Sequence, residues 1–246
     1  MVDIVEKSGG DVIKFIGDAI LMCWDQQGSE EETVASASLA CFRLIERLGN
    51  HYVEIPGEET KYLLSMHIGL SVGEVFDVHV GTDQRMEYFL AGKAVKEAVV
   101  LVNVAQMREI AISGGALHHL QVFEQNTGIE LGVEGRAGGI ILTKLEPPAN
   151  PQGSGVTYNF SARSAPEPPP SRRIYQRYIN ESVVYRLLGN PVQEFDKMGF
   201  VNEIRRVTIL FLKIEGLNVH TAESLTSMQS TMAVVLGVLK AFDLFF

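Results

Sequence analysis

Ser8-Gly9-Gly10-Asp11-Val12-Ile13-Lys14-Phe15-Ile16-Gly17-Asp18-Ala19-Ile20-Leu21-Met22-Cys23-Trp24 is the stretch on which the fold turns. Gly9-Gly10 interrupts whatever precedes it. Val12, Lys14 and Ile16 alternate with Ile13 and Phe15, the period of two that marks a strand. Gly17-Asp18 reads as a turn, because Gly accepts positive φ and Asp tolerates turn geometry. Ala19 to Trp24 reads as a second, mostly apolar strand. The hairpin holds one carboxylate, Asp18, at an exposed tip and one cation, Lys14, on the strand leading to it. In an arbitrary hairpin these would be a solvated turn acid and an edge lysine.

Composition bounds what surrounds the hairpin. The chain has 246 residues, enough for one large or two small domains, and 46% of them are hydrophobic, enough for a sizeable core. A net charge of -9 argues against a nucleic-acid surface. Cys23 and Cys41 both sit in apolar periodic contexts. They read as reduced residues of a cytoplasmic protein rather than a disulfide or metal pair. No apolar run is long enough to span a membrane, and the N-terminus lacks the layout of a signal peptide. Met1 to Lys7 looks like the last turns of a helix, so the chain is expected to begin inside a domain.

After the hairpin, Glu30-Glu31-Glu32 opens a helix whose apolar positions run from Val34 to Leu48 and which Gly49-Asn50 ends. Residues 51–61 read as a polar loop. Met66 to Val75 reads as a strand and Phe76 to Val80 as its return. Tyr88 to Gly92 is a short strand entering a helix over 93–107 with a wide apolar face. The two helices, 33–48 and 93–107, are expected on one face of the sheet. Ile110 to Ile112 is a strand, Ala116 to Leu120 a short helix, 121–136 a weakly alternating polar segment, and Gly138 to Leu145 a closing strand. His67 has no catalytic partner nearby in sequence and reads as structural or solvent-facing.

Beyond residue 145 the character changes. A linker over 146–172 holds seven prolines, from Pro147 to Pro170, among Gly, Ser and Ala. A linking helical segment, 173–203, contains an amphipathic stretch from Ile174 to Leu188. Residues 204–246 open a further domain, with a buried-type strand over Arg206 to Ile214 and apolar positions at helical spacing over 222–245.

The motif Gly-Gly-x-x-x-Lys-Phe-x-Gly-Asp-Ala, residues 9–19, resembles the metal hairpin of class III nucleotidyl cyclases. Within them it is most similar to the bicarbonate-responsive soluble adenylyl cyclases. Val12 stands where the Gly-Gly-Asp-Glu-Phe motif of diguanylate cyclases needs a carboxylate. His67 to Gly73 with Gly81, and Tyr88 to Gly92, resemble two further strand motifs of the family, so the likeness covers about 1–145. Residues 206–217 resemble the opening strand of a second cyclase half. The resemblance implies an α/β (α+β) ferredoxin-like domain over 1–145 that is incomplete and lacks its first strand. The first strand and helix of a second such domain would follow in 204–246.

It further implies conversion of ATP to cyclic AMP and pyrophosphate by two Mg²⁺ or Mn²⁺ ions at the interface of two halves. Asp18 matches one of two metal aspartates, Gly17 flanks it at the cofactor-binding turn, and the other aspartate is expected before Met1. Lys14 matches a lysine that, in a first half, serves the regulatory anion pocket rather than the active site. In soluble adenylyl cyclases that pocket takes bicarbonate with the help of an Arg, but here that position is Val99. Phe89 holds the purine-reading position, and Lys96 and Val100 replace the Asn and Arg that serve ribose and transition state. Lys213 stands where the second half would carry a metal Asp, and an ammonium cannot ligate a cation. The expected partners are ATP, bicarbonate and a second cyclase half in cis or in trans, without nucleic acid or membrane. The chain alone is expected to be nearly inactive, its adenine-reading groups falling beyond Phe246. The alternative is a non-catalytic cyclase-like module that pairs with another half or binds nucleotide.

Overall fold

The computed structural model describes residues 1–26, 28–49, 51–54, 60–146, 174, 176–179, 213–216 and 222–241. In chain order the elements are α1 (Val2–Lys7), β1 (Asp11–Ile16), β2 (Ala19–Cys23), α2 (Glu30–Leu48), β3 (His51–Glu54), β4 (Lys61–Leu64) and β5 (Ile68–Leu70). Next come β6 (Phe76–Gly81), β7 (Met86–Ala91), α3 (Lys93–Val104), β8 (Ile110–Ile112), α4 (Gly114–Thr127), β9 (Glu130–Arg136), β10 (Gly139–Glu146) and α5 (Ala222–Ala241). The class is mixed α/β, as expected. The chain divides into two compact units, one of Met1–Phe76 with Leu90–Pro166 and one of Asp77–Phe89 with Glu167–Phe246.

The first unit is built on a four-stranded sheet of order β5-β8-β10-β9. β5 runs parallel to β8, and β10 runs antiparallel to both β8 and β9. The sequence Ile-Ala-Ile of β8 is buried at all three positions, so both of its faces are covered. Ile110 and Ile112 join Cys41 and Ile45 of α2 and Leu120 and Phe123 of α4 in one cluster. Ala111 and Ile141 join Leu101 and Ala105, at the end of α3, in another. Helices α2 and α3 therefore lie on opposite faces, which corrects the expectation that they share one. That expectation treated the strands as half-apolar, whereas β8 and the start of β10 are apolar at both alternations. Each fully buried Ile or Leu in these clusters contributes on the order of 1.5–3 kcal/mol.

Gly69 shows how closely α3 approaches. A Cβ at that position would lie 2.3 Å from the Ala98 carbonyl oxygen and 2.6 Å from the Val102 amide nitrogen. α2 starts with a capping box. The Ser29 hydroxyl accepts from the Glu32 N–H, and the Glu32 carboxylate accepts from the Ser29 N–H.

Four further local readings are corrected. The segment expected as a polar loop over 51–61 instead begins with β3 and ends at the first residue of β4, the two strands pairing from His51↔Leu64 to Glu54↔Lys61. The β-forming Tyr52, Val53, Tyr62 and Leu63 outweigh the polar residues between them. The strand expected over 66–75 is only Ile68–Leu70, and its neighbour is β8; Phe76–Gly81 pairs with β7 instead. α3 ends at Val104, and the chain returns to β8 through Arg108 at φ 67. α4 runs to Thr127 because Ser113 caps its start and Gly128, at φ 71, closes its end.

In the second unit β6 and β7 form a two-stranded ribbon. Val78 and Val80 are buried while Asp77 and His79 are exposed, the alternation of a strand with one covered face. α5 falls within the helix expected over 222–245, and residues 242–246 lie outside the described residues. Ile174 and Gln176 are helical, and the rest of the stretch to Leu188 lies outside them, apart from the turn at 177–179. So do the proline-rich linker and most of the strand expected over 206–214, whose last residues, Lys213 and Ile214, belong to no strand. No helix among the described residues is long and apolar enough to cross a membrane.

Candidate functional site

The hairpin read from Ser8 to Trp24 is present, and its base is built more firmly than its tip. At the base, the Trp24 indole N–H donates to the Ser8 hydroxyl at 3.1 Å, and that hydroxyl donates to the Val5 carbonyl at 2.7 Å. The Ser36 hydroxyl of α2 donates to the Ser8 carbonyl at 2.7 Å. Ser8 and Ser36 are both buried, so these bonds satisfy groups that water cannot reach. Gly10 lies under the indole, and a Cβ there would come within 2.5 Å of a ring carbon. The base is thus tied to the end of α1 and to the first half of α2.

Between base and tip, β1 carries a bulge. Val12 pairs with Met22 and Lys14 with Leu21, leaving Ile13 as the extra residue. The bulge breaks the simple alternation read from the sequence. By register, Asp11, Lys14 and Ile16 share a face with Cys23, Leu21 and Ala19, while Val12 and Phe15 share the other with Met22 and Ile20. At the tip Gly17 takes φ 63, which only Gly adopts without strain, and Asp18 is exposed. Lys14 is exposed too, about 10 Å back along the ribbon at the usual strand rise. Phe15 and Ile16, at 64% and 56% exposure, leave the end of β1 apolar and uncovered.

An ion at Asp18 would find a hard carboxylate oxygen of the kind Mg²⁺ and Mn²⁺ accept. It would not find a second one from Asp11. That residue sits at the far end of β1, about 16–20 Å from the tip by strand rise, and two ligands of one Mg²⁺ must each lie within about 2.1 Å of it. Among the described residues, no group of three His, Cys, Asp or Glu side chains is placed to hold a metal. Among the described residues, a metal at the tip could therefore draw on Asp18 but not on Asp11 as well.

The remaining positions singled out in the sequence lie elsewhere. Lys96, Val99 and Val100 are on the exposed face of α3, with Val99 at 59% and Val100 at 51% exposure. The Asn103 side-chain amide donates to the Val99 carbonyl. Phe89 is half-buried in β7. His67 is exposed. Lys213 is exposed and paired with Glu215 at 3.1 Å. Burial pushes the Cys41 thiol up to about 12, which removes it as a nucleophile near neutral pH.

Three arrangements were not visible in the sequence. His119 of α4 has Nε2 3.3 Å from a Glu30 oxygen and Nδ1 3.4 Å from a Glu31 oxygen, at the start of α2. Hydrogen bonds from its own backbone, His119 and Ser29 hold the Glu31 carboxyl below its ordinary value. Arg136 of β9 grips Glu109 with two guanidinium nitrogens and lowers its carboxyl likewise. The Trp24–Ser8–Ser36 network is the third, and nothing local announces a bond across so many residues.

Known proteins can be set beside this geometry. Residues 1–144 match the sequence profile of the adenylate and guanylate cyclase catalytic domain. Adenylate cyclase type 10 of Homo sapiens is 24% identical over 262 aligned positions, covering 98% of this chain and 15% of that protein. Its Mus musculus counterpart is 24% identical, covering 97% of this chain. The chain thus spans about 15% of the length of these curated relatives. Among solved structures, a bacterial light-regulated adenylyl cyclase has a TM-score of 0.40 at 24% identity, covering 58% of this chain and 41% of that one. The guanylyl cyclase domain of the RhoGC fusion protein of Blastocladiella emersonii has a TM-score of 0.45 at 19% identity, covering 58% and 74% or more of the respective chains.

Proposed function

Because the chain belongs to the family of adenylate and guanylate cyclase catalytic domains, we propose that it carries one half of a soluble-type adenylyl cyclase site of the cytoplasm, acting on ATP. The observation that carries this reading is the anchored hairpin, which presents Asp18 to solvent on a base tied by Trp24, Ser8 and Ser36. The likeness to adenylate cyclase type 10 supports ATP rather than GTP as the substrate. In this reading residues 1–145 are the catalytic half and 204–246 begin a second, across the linker 146–172 and the segment 173–203.

The chemistry is attack of the ribose 3′-hydroxyl on the α-phosphate, with loss of pyrophosphate. Bound Mg²⁺ or Mn²⁺ supplies charge neutralisation at the phosphate and a more acidic 3′-hydroxyl. Asp18 would hold the ion, and with a single protein carboxylate the nucleotide phosphates would be needed as further ligands. The anchored base keeps that oxygen from wandering, and reactions of this type depend on placement above all. Gly17 allows the nucleotide to approach the turn closely, having no side chain. Lys14 faces a different ligand. Held about 10 Å from Asp18 along the ribbon, it serves an anion pocket; bicarbonate is the candidate ligand there by resemblance to the soluble adenylyl cyclases, although Val99 leaves that pocket without its Arg.

In the family pattern the second metal carboxylate belongs to the strand that precedes the hairpin of the same half, and the groups that read adenine come from the other half. The chain alone is then a nucleotide- and partner-binding module with little turnover. A non-catalytic role for the assembled protein is the second reading, favoured by the lack, among the described residues, of any group of three His, Cys, Asp or Glu side chains placed to hold a metal. Calorimetry with a non-hydrolysable ATP analogue separates the parts of this proposal. Binding is expected to require Mn²⁺ or Mg²⁺ and to weaken at least tenfold in Asp18→Asn. Metal-dependent binding left intact by Asp18→Asn would remove the assignment.

A further inference from the structure

A two-stranded ribbon has two open edges, each with unpaired N–H and C=O groups. Alone in water such a ribbon is marginal. In the second unit both edges of β6–β7 are met by later parts of the chain. On the β6 edge, the Gln229 side chain of α5 donates its Nε2–H to the Gly81 carbonyl at 2.7 Å, and its Oε1 accepts the Gly81 N–H at 2.9 Å. One side-chain amide takes the place of a neighbouring peptide. On the β7 edge, the Met86 N–H donates to the Arg177 carbonyl at 2.8 Å.

Side chains join the two edges. The Tyr178 hydroxyl meets His79 Nδ1 at 2.9 Å. The His79 ring lies against Tyr88, with centroids 4.9 Å apart, and the Tyr88 hydroxyl donates to Asp77 at 2.8 Å. The Arg177 guanidinium stands 3.8 Å from the Asp83 carboxylate, an exposed pair that adds little.

Apolar burial does not by itself fix this arrangement. On α5, Met228 and Leu236 are buried, and Met232, Val235 and Leu239 between and beyond them are half-buried. Such a stripe is non-directional and would tolerate a helix displaced by a turn. Two hydrogen bonds to the N–H and C=O of one residue would not. Gly81 takes φ 146, and a Cβ there would lie 2.2 Å from the Arg85 carbonyl oxygen. A regular strand cannot extend the ladder at such a point, but a side-chain amide can reach it.

We propose that α5 and the segment around Arg177 and Tyr178 form an in-cis cap on both edges of the β6–β7 ribbon. Gln229 sets where α5 docks, and the order of the ribbon depends on the C-terminal part of the chain. This proposal is independent of the nucleotide reading.

Residue-resolved hydrogen exchange on the full chain tests it, with Gln229→Glu and Tyr178→Phe as variants. Gln229→Glu keeps the size of the side chain and places a second acceptor against the Gly81 carbonyl. Exchange at the Gly81 and Met86 amides is expected to rise about tenfold or more, while Ile110–Ile112 keep their protection. Tyr178→Phe removes one hydroxyl and is expected to speed Met86 roughly threefold, with a smaller change at Gly81. Unchanged exchange at Gly81 in Gln229→Glu overturns the proposal. So does a rise at Gly81 with none at Met86, since the contacts would then be unconnected. Loss of protection at Ile112 in both variants overturns it too, by making the effect one of general stability.

Discussion

The β1–β2 and β6–β7 ribbons solve one problem in two ways. Each is a two-stranded sheet, too small to stand alone. β1–β2 is held at its base by an indole, two serine hydroxyls and a glycine that makes room for the ring. Its tip, with Asp18, is left exposed. β6–β7 is met along its edges, at Gly81 and at Met86. A ribbon gripped at its base can offer its tip to a ligand. A ribbon met at its edges has peptide groups satisfied there, at Gly81 and Met86.

The comparison breaks most severely at Gly10. Gly10→Val forces a side chain into the indole and is expected to lower stability by about 3 kcal/mol, from overpacking and a displaced Trp24. Thermal or urea unfolding reads this, and nucleotide binding should fall with it. Ser8→Ala removes the hydroxyl that accepts from Trp24 and donates to Val5, and should cost about 1–2 kcal/mol. Ser36→Ala should cost somewhat less, and the double variant less than the sum, because the two serines belong to one network.

The ion pair across the first unit gives a smaller effect that depends on pH. Arg136 holds Glu109 below its ordinary value of 4.5. A folded-state value below the unfolded one contributes stability that is present above about 4.5 and lost as pH falls through the lower, folded value. Melting curves from pH 6 downward should therefore show a shallower acid loss in Glu109→Gln than in the native chain. Smallest of all are the effects on stability at the tip. Asp18→Asn and Lys14→Ala should each change it by less than about 0.5 kcal/mol. In an assembled enzyme, Lys14→Ala should alter anion response without switching ATP use to GTP use.

The legible parts of this molecule are those coded locally. The Gly17-Asp18 turn and its flanking β-formers place the hairpin tip without any tertiary information. Glu30-Glu31-Glu32 announces α2 in the same way, while its Ser29 cap came only with the structure. α4 was underestimated because His118, His119, Gln121 and Gln125 interrupt Leu117, Leu120 and Phe123; its cap at Ser113 and its Gly128 terminator carry the signal instead. The two-faced burial of the sheet was latent in Ile110-Ala111-Ile112, where no position is polar. The bulge at Ile13, the Trp24 anchor and the clasp of Gln229 on Gly81 lay beyond sequence reading. Each depends on residues that meet only after the chain has folded. The site was legible as a list of side chains, Asp18 above all, but not as a mechanical object with a fixed base and an open tip.

Cyclic AMP formation tests the central claim most directly, with this chain assayed alone, then extended by a family first strand that carries the other aspartate and mixed with a separate complementary cyclase half, each with and without Asp18→Asn. Removal of one electrostatic group of this kind costs about 10²–10³ in rate, so a site that draws several such groups from elsewhere should sit near background without them. The account predicts background turnover for the chain alone. It predicts ATP-dependent product once that strand and the other half are both supplied, and loss of that product in Asp18→Asn. Robust cyclic AMP production by the chain alone, or undiminished production by Asp18→Asn in the mixture, would contradict it.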